Sequence, residues 1–278
     1  MTDERKYILI GLAGFTSSGK DTAAEYLDDT HEITPRSFAH TLKKMVQLAL
    51  PFTDKQLFGP SAAREEMLEE REYLFSGTCV SCGKECDFLD EADLLKVWYC
   101  VPCNINYPKY LNARIACQTL GTEWGRRLNK DFWVTASLHR TSEDHCVYTD
   151  TRFMNEWEAI RNKGGFLIRI HRGRQSYAHE SERALANTPE TFFDYVIDNQ
   201  YSFGNLQLRL DVIMADIHRK LWGEEAYLDA WVCNLQRYRA TAVHSYGEKD
   251  PRTKFFTRAV QGLRAKLTTL NKENETDA

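Results

Sequence analysis

Residues 6–27 read KYILIGLAGFTSSGKDTAAEYL, and this stretch decides the fold. Residues 6–12 are a short apolar run rich in β-formers, the pattern of a buried strand. Residues 21–27 carry the alanines and leucine of a helix. Between them, Gly14-Phe15-Thr16-Ser17-Ser18-Gly19-Lys20 fits G-x-x-x-x-G-K. Phosphate binding needs these residue types at this spacing. Glycines let the backbone curl so that successive N–H groups, those of Ser17 and Ser18 among them, face phosphate oxygens. Lys20 adds positive charge near the β and γ phosphates, and the helix that starts near Asp21 aims its positive end at the same place. The strand before and the helix after separate this motif from a chance glycine turn. Asp21 stands where a hydroxyl usually holds Mg²⁺, so Asp21 itself, the adjacent Thr22 or a water held by either takes that role.

The rest of the chain alternates in the same way. Residues 40–50 form an amphipathic helix through Leu42, Met45, Val46 and Ala49, stopped by Pro51. Residues 62–75, rich in Glu and Arg, read as an exposed helix, and helical residues run from 111 to 128. Residues 146–149 (CVYT) make a second strand ending at Asp150, 166–171 (FLIRIH) a third and 195–198 (YVID) a fourth. Helices at 155–162, stopped by Gly164-Gly165, and at 203–222 separate them. Strands separated by helices predict an α/β fold, a parallel sheet with helices on both faces.

From residue 223 the pattern changes to helix, turn and helix with no strand. Phe256, Val260, Leu263, Leu267 and Leu270 make one apolar stripe. Arg252, Lys254, Arg258, Arg264 and Lys266 make that helix positive. The stripe is expected to pack on the core or on a second copy of the chain; binding of nucleic acid is the competing reading. The last few residues are expected to be disordered.

Of 278 residues, 27% are charged and 42% hydrophobic, which excludes a disordered chain, a collagen and a disulfide mini-protein. The apolar runs are far shorter than the ~20 residues of a membrane span. No signal-peptide pattern opens the sequence, so a cytoplasmic protein is expected. The net charge of −4 gives no overall attraction to nucleic acid or membrane. Eight cysteines are present, five of them from Cys79 to Cys103, and without an export signal that clustering favours metal over disulfides. Cys79-x-x-Cys82 and Cys100-x-x-Cys103, seventeen residues apart, have the spacing of a tetrahedral zinc site of four thiolates. Cys86 is a fifth cysteine inside the loop with poorer spacing. A closed site of this kind is structural, since so short a segment builds no core and folds on its metal. Trp98 and Tyr99 either pack on this module or stack on a base. Cys117, Cys146 and Cys233 sit in apolar contexts and read as core. The domains expected are a core of residues 1–76 and 104–222, a zinc module of residues 77–103 and a helical extension of residues 223–278.

A phosphate loop of this kind works with an acidic group at the end of a neighbouring strand. Asp150 is the candidate, a helix cap being the plainer alternative. Positive charge is also needed around a moving phosphoryl group. Arg126 follows Gly121-Thr122-Glu123, and Arg152 lies two residues past Asp150. Arg172 and Arg174 follow the third strand in a stretch that would form a mobile lid, and Lys43 lies on the second helix. Taken singly, each reads more readily as a solvated surface charge.

Several segments, in order, resemble the deoxynucleoside monophosphate kinases of tailed bacteriophages. They are Ser18-Gly19-Lys20-Asp21-Thr22; Ser37-Phe38-Ala39 with Leu42-Lys43; Gln118-Thr119-Leu120-Gly121-Thr122-Glu123-Trp124-Gly125-Arg126, followed by Asp131-Phe132-Trp133-Val134; Asp150-Thr151-Arg152-Phe153 with Asn155-Glu156; and His179-Glu180-Ser181-Glu182, then residues 194–199. The resemblance covers about residues 5 to 220, the cysteine insertion excepted, and Asp21 is what this family has at that position. It implies a P-loop nucleotide-kinase fold that transfers the γ-phosphoryl of ATP to a deoxynucleoside monophosphate with Mg²⁺. Gly14, Gly19, Lys20, Asp21 and Thr22 would hold ATP and magnesium. Phe38, Lys43, Gln118, Glu123, Arg126, Asp150 and Arg152 would line the acceptor site, and Arg172 and Arg174 match lid positions. Ala39-His40-Thr41 departs from the acidic residue and proline common there. Two other readings are a P-loop kinase acting on hydroxymethylated pyrimidines in DNA and a non-catalytic, zinc-dependent interaction protein. A small-molecule nucleotide is the expected partner, with a homodimer and a nucleic acid, which the net charge disfavours, as further ones.

Overall fold

The computed structural model describes residues 7–59, 61–66, 82, 84, 85, 87–91, 95–100, 105–108, 112–139, 144–173 and 185–276. In chain order they form β1 (Leu9–Ala13), α1 (Lys20–His31), β2 (Thr34–Arg36), α2 (Ala39–Ala49), α3 (Asp54–Phe58), α4 (Ser61–Glu65), β3 (Asp87–Glu91), β4 (Leu95–Cys100), β5 (Ile105–Pro108) and α5 (Ala113–Gln118). A π-helical segment, Thr119–Gly125, runs on into the single turn α6 (Arg126–Leu128). Then come α7 (Phe132–Leu138), β6 (Cys146–Thr151), α8 (Met154–Asn162), β7 (Phe166–His171), β8 (Tyr195–Asp198), α9 (Phe203–Trp222), α10 (Glu224–Tyr246) and α11 (Pro251–Thr276). The chain divides into two compact units, Met1–Arg36 with Thr141–Ala278, and Ser37–Arg140.

The first unit is built on a five-stranded sheet of order β2-β6-β1-β7-β8, with every neighbouring pair parallel. All five residues of β1 are buried, because helices cover both faces. Side chains alternate along the strand. Ile8, Ile10 and Leu12 join Ala23, Leu27, Leu206, Leu210 and Met214 in a core beneath α1 and α9. On the opposite face, Gly11 leaves room for Ile160 of α8: a Cβ there would lie 2.6 Å from the Ile160 Cδ1. The four strands expected from the sequence form, β1 over Leu9–Ala13 where 6–12 was expected and β6 running past Thr149 to Thr151. The fifth, β2, is a three-residue edge strand containing Pro35, too short for any periodicity to announce, and proline is tolerated there because an edge strand has N–H positions that need no partner.

The second unit has a core of Leu42, Val46, Phe52, Leu57, Ala113, Ala116 and Trp133. The expected helix over 111–128 is interrupted by the π-helical segment, for reasons given below. The exposed helix expected over 62–75 is described only as far as α4, and residues 67–75 lie outside the described residues. β3 and β4, within the cysteine segment, and β5, just after it, make a three-stranded antiparallel sheet. No helix among the described residues is long and apolar enough to cross a membrane.

The helical extension belongs to the first unit. On α11, Val260 is buried and Phe256, Leu263, Leu267 and Leu270 are half-buried, so the stripe has a packing face as expected. Cys233 is exposed, which corrects its assignment to the core. Leu228, Val232 and Asn234 are buried on α10; Cys233 is one step of about 100° further round the helix from Val232.

A buried carboxylate holds this extension to α1. Asp211, on α9 and 0% exposed, accepts hydrogen bonds from Tyr26 Oη at 2.9 Å, from His31 Nε2 at 2.8 Å, from Arg237 Nη2 at 2.6 Å and from the Tyr238 hydroxyl. Burial by itself would raise the Asp211 pKa, but the bonds from His31, Tyr238 and Tyr26 and the Arg237 charge hold it below the ordinary value. An ionised carboxylate only accepts, so His31 Nε2 carries the hydrogen. Desolvation, with the Asp211 charge beside it, pushes Tyr26 up to about 12. Removing one partner of a buried charged set costs roughly 3–5 kcal/mol, so Asp211→Ala is expected to lower unfolding stability by that order, read from urea midpoints. Because the folded pKa is depressed, the contribution is complete above about pH 4, the unfolded carboxylate value, and is lost as pH falls through the folded one. The stability gap between wild type and Asp211→Asn should therefore narrow in acid; a gap that widened there would refute the sign.

Candidate active site

The loop that follows β1 lies at the carboxyl edge of the parallel sheet, where α/β proteins bind ligands. Its path is fixed by two left-handed residues, Ser17 at φ 62° and Gly19 at φ 101°, with Ser18 between them. Gly14 has no room for a side chain: a Cβ there would lie 2.5 Å from Ser18 Oγ and 2.6 Å from the Ile170 carbonyl oxygen. Lys20, the first residue of α1, folds back over the loop and donates from Nζ to the carbonyls of Gly14 at 2.8 Å and Phe15 at 2.7 Å. The Ser18 hydroxyl is buried with no hydrogen-bond partner among the described residues. A buried hydroxyl of that kind needs a ligand atom or water, and the cradle, the cation and the helix N-terminus suit phosphate oxygens. Asp21 and Thr22 are exposed in the first turn of α1.

Asp150 is set beside this loop by a β-bulge. Gly11 pairs with Tyr148 but Ala13 pairs with Thr151, so β6 has one extra residue at Thr149-Asp150. A bulge turns a side chain away from its ordinary direction. Thr151 closes it by donating from Oγ1 to the Leu12 carbonyl at 2.6 Å. The chain then enters α8 under the control of Glu156, buried at 4% exposure, whose Oε2 accepts from the backbone N–H of Arg152 at 2.7 Å and of Phe153 at 3.1 Å. The Asp150-to-Glu156 motif therefore divides between Asp150, half-buried at the sheet edge, and Glu156, which caps the helix. Arg152 and Arg172 are exposed. Arg174, His179 and Glu182 lie outside the described residues. Among the described residues no three His, Cys, Asp or Glu side chains gather around one point. Magnesium is commonly held by one or two carboxylates together with substrate phosphates, and the oxygens of Asp21, Thr22 and Asp150 have that chemistry.

The remaining candidates lie in the second unit. Phe38 is buried at the start of α2, Gln118 is exposed at the end of α5, and Arg126 is half-buried at the end of the π-helical segment. Glu123 lies within that segment. Lys43 Nζ is 5.4 Å from the centre of the Phe58 ring. Burial pushes the Cys117 thiol up, while the Lys43 and Arg64 charges act against it, so two cations face one side of α5. Arg64 was not singled out from the sequence, where it stands among many surface charges. The π-helical segment explains the glycines of the motif. A Cβ at Gly121 would lie 2.7 Å from Leu42 Cδ2, and one at Gly125 would lie 2.5 Å from Trp133 Nε1. Trp133 donates from Nε1 to the Gly121 carbonyl at 2.7 Å. Two glycines four apart thus let the wide turn lie against Leu42 and an indole, and π-turns of this sort gather at functional sites.

Of the four cysteines assigned to zinc, Cys79 and Cys103 lie outside the described residues, Cys82 is exposed in a turn and Cys100 ends β4.

No protein-family model matches the chain. Over 242 residues it is 25% identical to the deoxynucleoside-5'-monophosphate kinase of Escherichia phage T5, covering 74% of this chain and 94% of that protein. Over 181 residues it is 27% identical to a putative deoxynucleotide monophosphate kinase of Acanthamoeba polyphaga mimivirus, covering 59% of this chain and 74% of that protein. The chain resembles viral deoxynucleoside monophosphate kinases. A dephospho-CoA kinase from Campylobacter jejuni aligns at 13% identity over 75% of this chain and 96% of its own, with a TM-score of 0.36.

Exchanging Gly125 for alanine forces a methyl group into the Trp133 ring. Overpacking of this kind costs about 1–3 kcal/mol. Gly125→Ala should lower the unfolding midpoint and change the near-ultraviolet circular dichroism of the tryptophans, and an unchanged midpoint would show that the packing is slack.

Proposed function

We propose that the chain is a kinase that transfers the γ-phosphoryl of ATP to a deoxynucleoside monophosphate, giving ADP and the deoxynucleoside diphosphate. The observation that carries this reading is the glycine-lined loop at the end of β1, with Lys20 folded over it and the Ser18 hydroxyl buried inside. The names of the phage T5 and mimivirus relatives support the acceptor class.

In this reading the loop N–H groups and Lys20 bind the ATP phosphates, with Gly14, Ser17, Ser18 and Gly19 forming the cradle. An oxygen of the monophosphate attacks the γ-phosphorus in line, the bond to the β-γ bridging oxygen breaks, and ADP leaves. Magnesium held with the nucleotide by Asp21, Thr22 and Asp150 would offset phosphate charge. Asp150 need not be a strong base, because a phosphate acceptor is already ionised. Phe38, Lys43, Gln118, Glu123, Arg126, Asp150 and Arg152 are the residues assigned to the monophosphate. Arg172 and Arg174 are assigned to a closing lid that neutralises the transferred group and keeps water out.

Cys79, Cys82, Cys100 and Cys103 are assigned to one structural zinc ion. One C-x-x-C pair precedes β3 in the sequence and the other begins at the last residue of β4, and this spacing supports the assignment, since three short strands cannot bury enough surface to fold unaided. Elemental analysis should find one zinc per chain, and chelation should cost secondary structure. Metal-free chain of unchanged circular dichroism would end the assignment.

ADP formation is the direct test, across free deoxynucleoside and ribonucleoside monophosphates and duplex DNA carrying hydroxymethylated pyrimidines. Turnover on free deoxynucleotides is the expected result; turnover on modified DNA alone would move the acceptor to a polymer. Removing the Lys20 charge should lower kcat by roughly 10²–10³-fold, the scale for losing one preorganised electrostatic contact. Lys20→Ala with near-normal turnover and a normal fold would break the assignment.

A further inference from the structure

The Ser18–Gly19 peptide of the loop is gripped by a residue from the far side of the sheet. Asn199, the residue after β8, donates from Nδ2 to the Ser18 carbonyl at 2.9 Å. It is 8% exposed, and its own backbone N–H donates to the His171 carbonyl at 2.7 Å, so it is anchored to the end of β7. A Cβ on Gly19 would run into the same Nδ2, so the absence of a side chain there lets the amide reach the backbone. The acceptor is a carbonyl, which fixes the amide with nitrogen towards Ser18.

A trans peptide unit directs its carbonyl and its N–H to opposite sides. Holding the Ser18 oxygen towards Asn199 therefore turns the Gly19 N–H away from the sheet edge. Glycine occupies positive and negative φ almost equally well. Rotation of this one peptide, which interconverts related turn types, would point a carbonyl oxygen where the N–H now points. A carbonyl facing phosphate repels it; an N–H attracts it. We infer that Asn199 is a positioning residue for nucleotide phosphates, acting by locking the Ser18–Gly19 peptide in its anion-binding orientation. This rests on the proposal that the loop binds ATP. Without the lock the loop samples both orientations, and apparent affinity falls by the fraction that is competent.

The test uses the full chain, with ATP and Mg²⁺ as the probe. Dissociation constants come from equilibrium dialysis, and KM values for ATP and the monophosphate from the ADP assay, with circular dichroism to verify folding. Asn199→Ala should weaken ATP binding about tenfold, the scale of one lost hydrogen bond, while the KM for the monophosphate stays unchanged. Asn199→Asp keeps the volume but presents an acceptor to the Ser18 carbonyl at neutral pH and regains an O–H donor when protonated. Its ATP affinity should therefore recover, relative to wild type, as pH falls. A purely structural Asn199 would lower the folded fraction and leave the affinity of the folded protein unchanged in both variants; that result, or an Asn199→Asp defect independent of pH, overturns the inference. Wild-type chain that binds no ATP would overturn the kinase proposal and this inference with it, whereas wild-type binding with an unaffected Asn199→Ala overturns this inference alone.

Discussion

Burial of β1 on both faces is the constraint on which the rest of the structure depends. A central strand with β6 on one side and β7 on the other must satisfy its backbone groups within the sheet. The chain can then leave the sheet only at its carboxyl edge, and it must enter α1 within a few residues. That requirement puts Ser17 and Gly19 in left-handed conformations, tucks Gly14 beneath Ile170 and brings Lys20 over the loop. The neighbours follow. β6 takes an extra residue beside β1, which sets the direction of Asp150, and β8 ends where Asn199 meets Ser18. The curled loop here is the way a doubly covered strand comes to its end.

The unit of residues 37–140 works by different means. Among its described residues no parallel strand organises it, and its motif residues are arranged by close approach of backbone to ring. Gly121 and Gly125 give up side chains so that the π-helical segment can rest on Leu42 and Trp133. The Trp133 N–H then pairs a carbonyl that the wide turn exposes. Charge is arranged by packing as well, with Lys43 held over Phe58 and sharing the neighbourhood of Cys117 with Arg64.

The sheet was legible in the sequence because its strands are short apolar runs closed by Gly or Asp, and its helices carry an unbroken period. The loop was legible because its glycines and lysine stand at a recognisable spacing between a strand and a helix. β2 was not, since three residues containing a proline have no periodicity to detect. The break in the helix over 111–128 was missed because glycines four apart look like weak helix rather than a close packing site. Asn199 and Glu156 lay inside recognised motifs, but their partners are backbone atoms, Ser18 O for one and the N–H groups of Arg152 and Phe153 for the other. A sequence records side-chain types and says nothing of which carbonyl an amide will find. Asp211 was passed over for a related reason. It is an acidic residue on a helix with four donors, and the donors are spread from Tyr26 to Tyr238.

That spread has a consequence for how the molecule comes into being. A ribosome delivers the chain from its amino end, so Tyr26 and His31 wait 185 and 180 residues for Asp211, and Asp211 then waits for Arg237 and Tyr238. Until the last of these emerges, α1 borders a carboxylate only partly supplied with donors. The buried cluster is thus complete only once Tyr238 has been made. Helix α1 acquires its finished surroundings only when helix α10 has been made.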